Sequence, residues 1–172
     1  MALFPCIHFC DAKTLYFMGL SIGQKTKPLS DLMEQNIKFA EDRQRFYILL
    51  LQFFCVCSKT GIRLIMENPY NTSGMTYLEN NFIRPTIVDK NRMIRGDYYV
   101  KPTGYWFVNC NPTSGFTEQK DKVQKAVMGV KHRAAPGTCN TERSLISPDY
   151  ARNFICDFIL GKEQIGTQLS MF

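Results

Sequence analysis

The spacing of apolar residues along this chain predicts a strand, a long helix and a second strand, in that order. Ala2 to Phe4 is a short apolar piece closed by Pro5 and reads as a buried strand. A helical pattern starts at Ser30, a capping residue type followed by Asp31 and Glu34, whose charges favour the amino end of a helix. The pattern continues, with room for one break, to Ser58, and Gly61 stands just beyond it as a terminator. Its second half, Phe46 to Cys57, is apolar nearly all round, which predicts a helix covered on more than one side. Ile62 to Met66 is rich in branched apolar residues and predicts a strand that delivers Glu67 at its carboxyl edge. Strand, helix and strand at this spacing form a right-handed crossover, so the two strands are expected to be parallel.

Beyond Asp97 the pattern offers two more strand pieces, Tyr98 to Val100 and Tyr105 to Val108, with Lys101 to Gly104 as a turn or bulge between them. Residues 111–142 are polar, basic and rich in turn formers, and Val123 to Val130 is a short helix or strand candidate inside them. Ser147 and Pro148 open a final helix as cap and first-turn residue, with Tyr150, Phe154, Ile155, Phe158 and Ile159 on its apolar face up to Gly161. The resulting expectation is an α/β fold with a parallel or mixed sheet of four strands and flanking helices. It forms one domain over residues 1–160, and 161–172 are a flexible tail.

Composition narrows the class. Hydrophobic residues make up 45% and charged residues 21%, which is globular rather than disordered. The net charge of +6 and a pI near 9.0 favour a polyanionic partner, because a basic field attracts phosphate before any specific contact forms. The cysteines (Cys6, Cys10, Cys55, Cys57, Cys110, Cys139, Cys156) lack the paired short spacings of a zinc site, and His8 and His132 have no ligand partner by spacing, so no metal is expected. No signal peptide is read at the amino end, and reduced thiols fit a cytoplasmic location. The stretch from Phe46 to Cys57 is too short to span a bilayer, so no membrane partner is expected.

Four words of the sequence then carry a resemblance. They are Phe-Pro-Cys-Ile-His-Phe (4–9), Arg-Leu-Ile-Met-Glu-Asn-Pro-Tyr (63–70), Gly-Asp-Tyr-Tyr-Val-Lys-Pro-Thr-Gly-Tyr-Trp-Phe (96–107) and Arg-Ser-Leu-Ile-Ser-Pro-Asp-Tyr-Ala-Arg-Asn-Phe-Ile (143–155). In this order the chain resembles the phage and prophage branch of the cytosine-C5 DNA methyltransferases over most of residues 2–160. The resemblance implies a partial Rossmann-like sheet. It also implies Cys6 as the thiolate that attacks C6 of cytosine, Glu67 as the carboxylate on the ring edge at N3 and N4, and Asn68 as the residue that shapes that loop. Lys101 and Thr103 fall where the family packs a substrate-side strand. The target base must leave the duplex for this chemistry. The family's glycine-rich donor turn lies upstream of its Pro-Cys strand, and here Met1 stands three residues before Phe4. Gly19, Gly23 and Gly61 do not rebuild that turn.

The expectation for function is therefore a non-catalytic, methyltransferase-derived binder of nucleic acid, chiefly DNA, or of a nuclease bound to nucleic acid. It would belong to a phage or mobile element and serve in counter-defence against restriction or CRISPR. The contrasting expectation is a subunit or fragment of an active methyltransferase using Cys6, with S-adenosylmethionine held by a donor half supplied in trans and no cofactor bound by the lone chain. The cations expected to meet nucleic acid are Arg84, Lys90, Arg92, Arg95, Lys101, Lys120, Lys122, Lys125, Lys131 and Arg133. Ala2 to Phe4 would form an open apolar edge, so a homodimer or a partner protein covering it is expected.

Overall fold

A computed structural model of the chain describes residues 2–3, 8–9, 18–20, 23–70, 76–113, 117–119 and 146–161, with the backbone alone for 2–3. The elements in chain order are β1 (Ala2–Leu3), α1 (Leu29–Thr60), β2 (Leu64–Pro69), α2 (Tyr77–Asn81), β3 (Ile87–Asp89), a 3₁₀ turn (Arg92–Arg95), β4 (Thr103–Val108) and α3 (Pro148–Phe154). A π-helical segment, Ile155–Leu160, continues α3. The chain divides into two compact units, Met1–Val88 with Thr103–Cys110, and Asp89–Pro102 with Asn111–Phe172.

The first unit carries a mixed four-stranded sheet in the order β1-β2-β4-β3. β1 and β2 are parallel, as the crossover spacing predicts, with Ala2 opposite Met66 and Leu3 opposite Glu67. β4 runs antiparallel to β2, from Leu64 opposite Val108 to Pro69 opposite Thr103. The sheet is α/β in class, but a parallel Rossmann-like sheet is not what the described strands form. β2 is also displaced from its expected span. It starts at Leu64 rather than Ile62 and runs through Glu67 to Pro69, because pairing with β4 extends over all six of its residues.

α1 is one unbroken helix of 32 residues. Its inward stripe is Phe39, Arg43, Phe46, Leu50, Phe54 and Cys57, each three or four residues from the last as a single helix face requires, with Tyr47 beside Phe46. Leu50, Phe54 and Cys57 meet Leu64, Met66 and Trp106 of the sheet, together with Phe9 and Leu78, in the buried core. Ser30 does not cap this helix. Pro28 does, its carbonyl accepting from Leu32 N at 3.2 Å, while the Ser30 hydroxyl turns to Asp31 at 3.2 Å. Proline's side chain offers no acceptor, so the helix starts without a side-chain cap. The helix ends as expected at Gly61, whose φ of 74° is left-handed. Asn109 fastens that end by donating to the carbonyls of Cys57 (2.6 Å) and Ile62 (2.9 Å). Only one side of the apolar second half is covered: Ile48, Leu49, Leu51 and Val56 stay exposed among the described residues.

The second unit is organised by charge. Tyr98 to Val100, an expected strand, is irregular here. The 3₁₀ turn before it, ending at Gly96 with φ 96°, buries Arg92 and Arg95. The closing helix follows its signals closely. Ser147 accepts from Tyr150 N at 3.0 Å, Pro148 occupies the first turn, and Gly161 is left-handed at φ 63°. Val123 to Val130 and the tail beyond Gly161 lie outside the described residues.

Candidate functional site

The carboxyl end of β2 carries Glu67 and Asn68, two of the residues that the sequence singles out. Glu67 is buried there at 8% exposure, flanked by Leu3 on β1 and Tyr105 on β4. Asn68 is fully buried and lies opposite Gly104. Strand alternation sends these neighbours to opposite faces of the sheet. Asn68 shares its face with Leu64, Met66 and Trp106, which pack beneath α1, whereas Glu67 shares its face with Ile65, Tyr105 and Phe107. The two side chains therefore do not form a single two-pronged clamp. Neither amide atom of Asn68 has a hydrogen-bond partner. A buried primary amide left in that state is costly, and functional sites are where such costs are carried.

Gly104 is required at its position by Trp106. A Cβ there would come within 3.0 Å of the indole Cη2 and 3.2 Å of Pro85 Cβ. The indole is itself fixed, donating from Nε1 to the Ile83 carbonyl at 2.8 Å, with Tyr70 edge-on at 6.2 Å.

Cys6 lies outside the described residues, but His8 and Phe9, which close its word, are held firmly. Arg43 Nε donates to the His8 carbonyl at 2.8 Å, and Tyr77 N donates to the Phe9 carbonyl at 2.9 Å. The His8 ring stacks on Phe39 at 4.9 Å and meets Phe46 at 4.7 Å. The Arg43 guanidinium sits over Tyr77 at 5.0 Å and Phe39 at 5.2 Å. Sequence reasoning passed over Arg43. Its signal was a charge within the inward stripe, four residues after Phe39 and three before Phe46. Tyr77 is set in turn by a reciprocal cap on α2, in which the Thr76 hydroxyl accepts from Glu79 N (3.4 Å) and Glu79 Oε2 accepts from Thr76 N (2.8 Å). Arg43→Ala is expected to lower unfolding stability by about 1–2 kcal/mol in urea titration, through one lost charged hydrogen bond and the stacking beneath it.

The expected nucleic-acid cations separate into three groups. Arg84 is exposed in the first unit; Lys90 is exposed and Lys101 half-buried in the second. Arg92 and Arg95 are corrected: they are buried and engaged internally. Arg92 Nη2 lies 2.6 Å from Asp97 Oδ2, with its guanidinium 4.4 Å over the Tyr150 ring. Arg95 Nη1 donates to Asp157 Oδ2 at 3.0 Å, and its Nε is 3.3 Å from Asp89 Oδ2. Guanidinium groups neutralised in this way cannot also meet phosphate. Lys120, Lys122, Lys125, Lys131 and Arg133 lie outside the described residues.

Gly61 terminates α1, and Gly19 and Gly23 are left-handed turn residues ahead of it. No three His, Cys, Asp or Glu side chains among the described residues come together to hold a metal ion. Among the same residues, no helix is long and apolar enough to cross a membrane. No protein-family model matches the chain, and no similar curated protein or solved structure was found.

Proposed function

We propose that this chain is a methyltransferase-derived nucleic-acid-binding protein that holds an unstacked cytosine at the carboxyl end of its parallel strand pair. The observation that supports this reading most is the register. Leu3 stands opposite Glu67, so β1 leads into the Phe-Pro-Cys word at the same end of the sheet where β2 presents its carboxylate. Ligands of open α/β sheets bind beyond the carboxyl ends of such strands. A carboxylate there accepts from the N4 amino group of cytosine, where thymine presents its O4 acceptor instead. The net charge of +6 supplies the sequence-independent attraction.

Because the base must be out of the stack, single strands are bound in preference to intact duplex. Fluorescence anisotropy with labelled single-stranded DNA tests this. Affinity is expected to fall about tenfold between low and physiological salt as counterions are released. A cytosine-containing strand is expected to bind more tightly than an all-thymine strand. Salt-independent affinity, or tighter binding to duplex, would contradict the reading.

A further inference from the structure

The second unit holds a cavity of about 240 Å³ lined by Gly96, Tyr98, Gln119, Ser147, Pro148 and Asp149. It is smaller than the roughly 300–1,000 Å³ of pockets that take drug-sized ligands, so it has room for one ring system. Its frame is fixed by hydrogen bonds. Gln119 N donates to the Ile94 carbonyl at 2.9 Å, and Gln119 Oε1 accepts from Asn153 Nδ2 at 3.3 Å. The Ser147 hydroxyl donates to the Gly96 carbonyl at 2.5 Å and accepts from Tyr150 N at 3.0 Å. Gly96 keeps the space open: a Cβ there would run into Gln119 Oε1 and come within 3.0 Å of Asp149 Cβ.

What the cavity offers a ligand is chiefly hydrogen-bond acceptance at Asp149. Gln119 Nε2 donates to Asp149 Oδ2 at 2.9 Å, and Arg152 Nη2 donates to Asp149 Oδ1 at 2.9 Å. A carboxylate has about four lone-pair positions, so each oxygen can accept once more. Two adjacent donors on one edge of a planar group fill such a pair. A guanidinium has that edge, but Arg152 already balances the carboxylate and the chain carries a net charge of +6, so a further cation is disfavoured. A neutral ring with the same edge meets neither objection. Guanine is such a ring, with N1–H beside its 2-amino group, whereas adenine places an acceptor at N1. Tyr98 stands half-buried in the wall as an aromatic face on which a base can stack. We propose that this cavity binds a guanine base, held through N1–H and the 2-amino group by Asp149 and stacked on Tyr98. The basic field of the chain draws in the phosphate that comes with the base, whether on a free nucleotide or in a strand. This site lies in the second unit and Glu67 in the first, so the inference does not rest on the cytosine reading.

Calorimetric titration of the full chain with guanosine, inosine and adenosine 5′-monophosphates tests this. The guanine nucleotide is expected to bind about tenfold more tightly than the inosine one, which lacks only the 2-amino group, and the adenine nucleotide more weakly still. Asp149→Asn should bring the guanine nucleotide down to the level of inosine. The Asp149–Arg152 pair is exposed, so its loss costs the fold little, and circular dichroism checks this. Tyr98→Leu should weaken all three nucleotides alike, by about tenfold. Glu67→Gln should change none of these values, which separates failure of this site from failure of the cytosine site. Thymine strands with and without one guanine, titrated in parallel, tell the two sources apart. Preference among the free nucleotides supports a nucleotide site, and preference confined to the strands supports a site for guanine in nucleic acid. Equal affinity for all three nucleotides and for both strands would overturn the proposal, as would a guanine preference that Asp149→Asn leaves intact.

Discussion

Arg95→Ala is expected to lower the stability of the second unit by about 3–5 kcal/mol, enough to unfold a marginal domain. Arg95 is 3% exposed and stands between two buried carboxylates, Asp89 (6%) and Asp157 (2%). These acids are otherwise satisfied by neutral donors. Asp157 accepts from Thr117 N (2.8 Å) and Thr117 Oγ1 (2.7 Å), and Asp89 accepts from the Tyr150 hydroxyl (3.0 Å) and Asn91 N (3.1 Å). Removing the guanidinium leaves two like charges in a low-dielectric site held by neutral donors alone. It also strips a cation from the face of Phe158, 4.4 Å away. Replacing both acids with asparagine in the Arg95→Ala background should recover part of the loss, because the uncompensated charge goes with them. Urea denaturation of the three proteins measures this. Equal stability of Arg95→Ala and the parent would mean that the network does not hold this unit together.

Asn68→Leu is expected to act in the opposite direction and raise stability by about 2–4 kcal/mol. Both amide atoms of Asn68 are buried without a partner, and each such group costs roughly 1–3 kcal/mol. Leucine has the same branched arrangement of heavy atoms and would share the apolar face of Leu64, Met66 and Trp106, so the substitution removes the cost without opening a cavity, while its bulkier methyl groups take back part of the gain. A stabilising change at a position the sequence marks as functional is the pattern expected when a site is kept for use rather than for folding. Thermal unfolding checks the sign. A lower midpoint for Asn68→Leu would mean that the amide is engaged in the folded chain and contributes to it.

The parts legible in the sequence were those governed by local rules. Gly61 and Gly161 mark helix ends because left-handed backbone suits glycine, and Ser147-Pro148 marks a helix start for reasons contained within four residues. The crossover from β1 through α1 to β2 was readable because its handedness and length leave one arrangement. What escaped was decided by pairing between distant segments. β2 ends at Pro69 rather than Met66 because β4 supplies partners that far, and no local pattern near Glu67 announces this. Arg92 and Arg95 look like surface cations when counted in a basic stretch. Their acids lie at Asp89, Asp97 and Asp157, and the last of these is 62 positions away from Arg95. The cap Thr76-x-x-Glu79 was legible and went unused, and with it α2, which positions Tyr77 against Phe9. For the site itself, the words around Cys6 and Glu67 pointed to one sheet edge. The opposite facing of Glu67 and Asn68 follows from strand alternation as soon as β2 is seen to include both.

The most direct test of the central claim is base discrimination by Glu67. Dissociation constants are measured for the full chain and for Glu67→Gln on single strands that differ only by cytosine or thymine at one position. The parent is expected to prefer cytosine by about tenfold, the worth of one well-placed base contact, and Glu67→Gln to bind both strands alike. Its salt dependence should be unchanged, since the phosphate contacts remain. A cytosine preference that survives Glu67→Gln, or a parent that does not distinguish the two strands, would contradict the account.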